Sequence, residues 1–446
     1  MEIDRATPAI TRDLGRYFAL LWFGHATSKL GSAVTTVVMP LIAISVLGSS
    51  TFMITVLEAS VWLPWLLIGL PAGAWVDRMR RRRTMMTCDA VAALALATVP
   101  VAAWFGVLTM THLIAVALVL GTAAVFFATA AQAVLPALLP KERLPGANAK
   151  LQGTDAGALI LGPAVGGAIA QAAGAVSGLL IDAFSFVVSA LCLRGIPVPE
   201  SHLNERARRT TTLREEIGEG MRFVWRDPYL RVFTIHAGVS NLPAAALQAI
   251  LIVFMVREVG LSQGLVGLVL GAVSVGGVIG ALIVTALAAR VGTARTILAA
   301  ELGVTPLALL VPLTTDGWGL VFLLVGGLTV SVAIVASNVL IGSFTQAYTP
   351  APLMGRVAAS QHFVNFSTLP IGAVLGGAVA ELAGLRTTMW IITSMAVLSG
   401  LILLAGPLRK NKFLPTEPAA VPPAEPPAGP PANLPEGPPT VPPAVR

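Results

Sequence analysis

Charge is what this chain has least of. Only 11% of its 446 residues are Asp, Glu, Lys or Arg, against roughly a quarter in water-soluble domains, which excludes an ordinary soluble globule. Its two cysteines, Cys88 and Cys192, lie in apolar runs without metal-ligand spacing, so neither a disulfide framework nor a metal site is expected. No glycine-rich phosphate loop of the Walker type occurs, so ATP is not expected as the energy source. The 5 histidines are scattered along the chain, and no compact His/Asp or Ser/His cluster of an enzyme can be read from them. A net charge of +7 comes from basic residues dispersed over short loops, not from one solvated face, so nucleic acid is not an expected partner. The opening residues mix acidic and basic side chains before a very long apolar run, unlike a cleavable signal peptide.

What the chain does have is hydrophobic length. It is 55% apolar with a mean hydropathy of +0.81. Runs of spanning length, about twenty residues each, lie near 15–47, 52–76, 84–107, 111–139, 147–173 and 175–196. Six more lie near 230–256, 262–289, 294–314, 317–346, 353–384 and 386–406. Lys and Arg gather in alternate connections: the N-terminal tail, 77–83, 141–150, 197–229, 290–295 and the start of the C-terminal tail. The positive-inside rule then places both termini in the cytoplasm. Residues 197–229 separate an N-terminal bundle (1–196) from a C-terminal one (230–406). Within that linker, apolar residues at four-residue steps from Leu213 to Val224 predict an amphipathic helix, lying on the membrane face or packed under the bundle. Residues 407–446 carry 14 prolines and are expected to be a disordered, partly extended tail.

The halves repeat each other. Gly162-Pro163-Ala164-Val165-Gly166-Gly167-Ala168-Ile169-Ala170-Gln171-Ala172-Ala173-Gly174 matches residues 372–384 at seven of thirteen positions, with a constant offset of 210 (372 − 162). Arg83-Thr84 corresponds to Arg295-Thr296, and His25-Ala26 to His236-Ala237. Internal repeats in a membrane chain place a binding site between the halves near the bilayer midplane.

Between the second and third runs stands Gly73-Ala74-Trp75-Val76-Asp77-Arg78-Met79-Arg80-Arg81-Arg82-Arg83. A glycine, an aspartate four residues later and an arginine cluster resemble the signature loop of the major facilitator superfamily, although Arg80 stands where that signature usually has glycine. Gly162-Pro163-x-x-Gly166-Gly167 in the fifth run resembles the antiporter signature of its exporting branches. Up to about residue 406 the chain looks like the drug-efflux branch that includes macrolide and siderophore exporters. The resemblance implies an all-α membrane fold of twelve helices in two pseudo-symmetric six-helix bundles. It implies export of an amphipathic small molecule by alternating access, with no cofactor and the proton gradient as energy source. A monomer in the lipid bilayer of the inner membrane is expected. A facilitator or importer of the same fold, or a non-transporting scaffold, are the alternatives.

Ionisable groups inside a membrane are costly and therefore candidates for function. Lys29 and His25 share one face of the first span, and Glu58 in the second is the expected partner of Lys29 or of a proton. Gln152 and Asp155 in the fifth span recur as His362 and Asn365 in the eleventh. His236, Asn241 and Asn338 complete the expected substrate and proton pathway. Gly73, Asp77, Arg78, Arg81 and Arg82 are the expected gate. Gly73 would allow a close helix approach, and Asp89 would pair with the arginines. The resemblance puts Asp89, Asp182 and Glu301 on outer helices, away from transport.

Overall fold

Apolar lipid cannot hydrogen-bond the backbone, so a spanning segment must satisfy its own N–H and C=O groups, and a helix does this locally. The computed structural model describes residues 7–76, 78–196, 213–350 and 353–415, and among these all regular structure is helical. The N-terminal half contains α1 (Thr7–Ser45), α2 (Thr51–Val76), α3 (Arg81–Trp104), α4 (Met110–Leu138), α5 (Leu144–Ala173) and α6 (Ala175–Arg194). The linker holds α7 (Leu213–Arg226). The C-terminal half contains α8 (Pro228–Val253), α9 (Gln263–Val291), α10 (Thr293–Leu298), α11 (Leu320–Tyr348), α12 (Met354–Ala383) and α13 (Leu385–Gly400). With the irregular turns that prolong α8 and α10, twelve helices among the described residues are long and apolar enough to cross a membrane. Large apolar side chains such as Leu94, Leu159, Phe184 and Leu282 point outward, as a lipid-facing surface requires.

The bundle has two unlike ends. One carries the short turns, such as 46–50 and 259–262; the other carries the connections at 78–80 and 139–143 and the linker. At the turn end a single apolar core runs through both halves: Val34, Val38, Leu41 and Leu113 pack in one cluster with Ile250, Val253, Val266 and Met389. At the linker end that core forks. Val76, Met85, Val134 and Leu193 form a cluster belonging to the N half alone, while Val224, Phe233, Ile297 and Phe344 form another in the C half and linker.

Small residues make the turn-end joint possible. A Cβ on Gly167 (α5) would stand 2.7 Å from Gly267 Cα and 2.6 Å from Gln263 O on α9. Its repeat partner Gly377 (α12) lies against Thr55 of α2 in the same way. Both are contacts between halves, so the repeat that is visible in the sequence builds a two-fold seal. Gly162 and Gly166 act within their half, pressing α5 onto Ala33 and Val34 of α1. The joint is pinned by Arg257, which donates to the Ser49 carbonyl and, at 3.1 Å, to Thr51 Oγ1. The Phe52 N–H, next to Thr51, donates to Glu381 of α12 at 3.3 Å.

Two elements depart from the sequence expectations, and a third, the linker helix, takes one of the two places expected for it. The ninth span is not one regular helix. After Leu298 the chain widens over Ala299–Val304 and tightens over Thr305–Leu313, where Pro306 has no N–H to continue the ladder. The linker helix packs under the bundle, with Gly220 against the Arg356 backbone and Val224 buried. Of the C-terminal tail, residues 407–415 fold back on the C half instead of extending away. Leu408 is buried, Asn411 donates to the Tyr229 hydroxyl at 2.5 Å, and the Leu414 N–H to Thr293 Oγ1 at 2.8 Å. The expected disorder of 416–446 lies outside the described residues.

Candidate functional site

Where the common core ends, about midway along the helices, a cavity of about 310 Å³ opens. Its wall is mostly apolar, with Met39, Leu57, Trp62, Trp65, Phe127 and Phe186 contributing, and into it reach Lys29, Glu58, Asp89 and Asp182. A second hollow of about 530 Å³ shares His25 and Lys29 with the first and adds Gln132, Asn148, Gln152 and Asp155 towards the linker end. Both hollows are built by the N half, and the first reaches the joint with the C half at Gln248; an apolar cavity with a few inward polar groups can hold a small molecule part-way across a membrane.

Comparison with known proteins agrees with that geometry. A family model described as transmembrane secretion effector matches residues 14–428. The chain belongs to this family of the major facilitator superfamily. It is a multi-pass membrane transporter and not an enzyme. The multidrug efflux pump Tap of Mycolicibacterium fortuitum is 29% identical over 413 residues, covering 90% of this chain and 98% of Tap. Macrolide efflux protein A of Streptococcus pyogenes is 23% identical over 183 residues, 41% of this chain and 45% of that protein. Among solved structures, a bacterial homologue of the iron transporter ferroportin in an inward-facing state superposes with a TM-score of 0.69 at 16% identity, over 87% of this chain and 98% of that one. The nucleoside transporter NupG superposes with a TM-score of 0.70 at 12% identity, over 89% and 100%.

In this transporter the charges are partnered differently from the sequence expectation. Glu58 does not pair with Lys29: its Oε1 accepts from Gln248 Nε2 of α8 at 3.4 Å, a polar contact between halves. Lys29 lines both hollows and makes no hydrogen bond or ion pair among the described residues. His25 Nε2 meets Asp155 Oδ1 at 2.6 Å, joining α1 to α5. In the C half Asn241 Nδ2 donates to Asn365 Oδ1 at 3.2 Å, joining α8 to α12. His362 stacks on Phe366 at 5.7 Å, and Phe366 in turn stacks on Trp65 at 4.8 Å across the halves. Asn338 is exposed on α11 and lines neither hollow.

His236 is a correction. It is only 4% exposed and sealed inside the C half, with Nδ1 facing the Ser399 carbonyl at 3.1 Å and Nε2 facing Glu301 at 3.7 Å. The widened turn after α10 brings Glu301 inward, 7% exposed, although the resemblance puts it on an outer helix. Asp182 is likewise interior, 1% exposed, and accepts from Thr35 at 2.5 Å and Ser185 at 3.0 Å. Asp89, also 1% exposed, makes no ion pair with an arginine among the described residues. Its Oδ2 has no hydrogen-bond partner, and it lines the cavity.

The expected gate is only partly described. Asp77 lies outside the described residues. A Cβ on Gly73 would meet nothing within 4 Å, so that glycine serves no close approach here. Arg82 donates to the Arg194 carbonyl at 2.8 Å, tying the loop to the end of α6. Arg78 is exposed at the turn and Arg81 is half-buried with Nε unpartnered. Sequence reasoning missed Gln248 and Arg257. The signal was Gln248 interrupting the apolar run of the seventh span and Arg257 standing just past its end.

Proposed function

We propose that this transporter exports amphipathic, drug-like organic molecules across a bacterial cytoplasmic membrane by alternating access, exchanging them for protons. The observation that carries this reading is a cavity with Lys29, Glu58, Asp89 and Asp182 in an apolar, aromatic wall, set in the N half and touching the C half at Gln248, in a bundle whose core is common to both halves at the turn end and forked at the linker end. By the positive-inside rule the linker end faces the cytoplasm, so the cavity is open to the cytoplasm and sealed outside. Rocking the halves about the cavity would transfer the seal from the Gly167–Gly267 and Gly377–Thr55 contacts to the arginine-rich loop, with Asp77 and its neighbouring arginines as the inner latch. Few charges in an apolar, aromatic wall favour large molecules with one or two polar groups over sugars or ions. The names of the relatives, multidrug and macrolide efflux proteins, support the direction and the substrate class. Only a ligand or proton with different affinity for the two states can bias them, and the cavity carboxylates supply such groups.

The experiment is a susceptibility panel of macrolides, tetracyclines and cationic dyes in a strain lacking its own pumps. Expression is expected to raise the tolerated concentration of at least one class several-fold, and a protonophore is expected to abolish accumulation differences within minutes. Increased uptake of the same compounds would instead identify an importer, and unchanged susceptibility across the panel would remove the drug-export reading.

A further inference from the structure

The repeat that aligns the halves also aligns their buried polar groups, and the two halves pair them differently. At an offset of 211 (236 − 25) His25 corresponds to His236; at 210 (365 − 155) Asp155 corresponds to Asn365. At 212 (301 − 89), the offset that carries Thr84 onto Thr296, Asp89 corresponds to Glu301. Lys29 falls on the Ser240-Asn241 pair after a one-residue gap. In the C half, His236 faces Glu301 and Asn241 is bonded to Asn365. The equivalent pairing in the N half would be His25 with Asp89 and Lys29 with Asp155. The structure has the crossed arrangement instead: His25 is bonded to Asp155, Lys29 is unpaired among the described residues, and the Asp89 Oδ2 is buried without a partner. Gly24, the residue before His25, packs 3.4 Å from the Ser189 backbone on α6, measured from its would-be Cβ. Both His25 and Asp89 line the cavity.

We propose that His25 is a two-position switch that exchanges Asp155 for Asp89 while Lys29 takes up Asp155, and that this exchange carries one proton. In the crossed pairing the His25 imidazolium faces the Asp155 carboxylate, Lys29 is an ammonium, and Asp89 is a carboxylic acid, since an unpaired buried anion is costly in an apolar bundle. In the other pairing Asp89 gives its O–H proton to cavity water and becomes the counter-ion of the same imidazolium, and the Lys29 ammonium pairs with Asp155. No other group changes its proton count, so one proton leaves while the cavity is open at the linker end. The remaining titratable groups that face this cluster do not compete. Asp182 is held by Thr35 and Ser185 and Glu58 by Gln248, α4 contributes no charge, and Cys88 and Cys192 are neutral thiols. The C half has only the fixed version, because Asn365 in place of a carboxylate leaves His236 nothing to exchange.

This inference refines the proton-coupling part of the proposed function, and its test does not use transport. The full-length protein in lipid nanodiscs at neutral pH is read by infrared difference spectroscopy in the carboxylic-acid C=O region. Wild type minus Asp89→Asn is expected to isolate one protonated-carboxyl band. That band is expected to vanish in Asp155→Asn, where His25 turns to an intact Asp89, and to return in the double variant His25→Gln/Asp155→Asn. Asparagine is the residue the C half carries at this place, and Asp155→Ser serves as a second variant should the first fail to fold. A merely structural Asp155 would leave the Asp89 band in place. Persistence of the band in folded Asp155 variants, or its absence from wild type, overturns the switch, whether or not the protein exports drugs.

Discussion

The turn-end seal can be loosened by a single methyl group. In Gly167→Ala the new Cβ would stand 2.6 Å from Gln263 O and 2.7 Å from Gly267 Cα. Both are backbone atoms that cannot rotate away. Ordinary contact begins at 3.4 Å, so α5 and α9 must separate by 0.8 Å (3.4 − 2.6). Overpacking of this kind costs about 1–3 kcal/mol, and it applies only to the state in which this end is closed. The balance between the two states should therefore move about 5–150-fold towards opening at the turn end. Gly157→Ala, on the same helix, is the control, because a Cβ there meets nothing within 4 Å. With Cys88 and Cys192 replaced by serine, spin labels at Val107 and Trp318, exposed residues at the turn end of opposite halves, report the separation by pulsed electron resonance. A long-distance population is expected to grow in Gly167→Ala and not in Gly157→Ala. Identical distance distributions in the two variants would refute the assignment of this contact as the seal.

Gly377→Ala should act in the same direction but less strongly, because it meets the Thr55 side chain, which can turn aside; the same label pair measures it. Arg257→Ala removes the hydrogen bonds to Ser49 and Thr51 and should weaken the closed turn end by about 1 kcal/mol, seen as a smaller shift in the same distances. Glu58→Gln keeps a hydrogen-bonding partner for Gln248 but removes the charge, so export of cationic dyes should fall about tenfold while uncharged macrolides are exported as before, measured in everted vesicles. His236→Ala leaves Glu301 buried without its partner and should destabilise the protein by about 3 kcal/mol, read as earlier thermal unfolding, while transport per folded molecule is unchanged.

The twelve spans and the two halves are legible in the sequence because lipid imposes a length and a polarity on every segment independently of its neighbours. The seven identities between 162–174 and 372–384 likewise announced a joint, since glycines that recur at one offset mark backbone approach. Their left-handed ends are repeated as well: Gly174 and Gly384 have φ of +82° and +83°, a conformation costly for any residue with a Cβ. The charged residues were less legible. Asp89, Asp182 and Glu301 stand on helices that the superfamily pattern puts outside, yet all three turn inward, because a helix rotates its residues by position and not by membership. The widened turn after α10 adds to this for Glu301, and periodicity cannot register a widening of a residue or so. Lys29 and Glu58 look like a natural ion pair on charge alone, but Gln248, an uncharged residue from the other half, holds Glu58 instead.

The chain by itself therefore determined what local chemistry determines: which segments enter the membrane, that they come as two related sets of six, and where small residues allow helices to meet. Only the tertiary structure decided which polar groups are partners, that the apolar core is continuous at one end and divided at the other, and that His25 is bonded to Asp155 while Lys29 is left without a partner among the described residues. The reason is physical. Hydrophobic transfer acts on each segment by its own composition, whereas an ion pair depends on distances of a few ångströms between helices far apart in sequence, which rotation and kinking of each helix set.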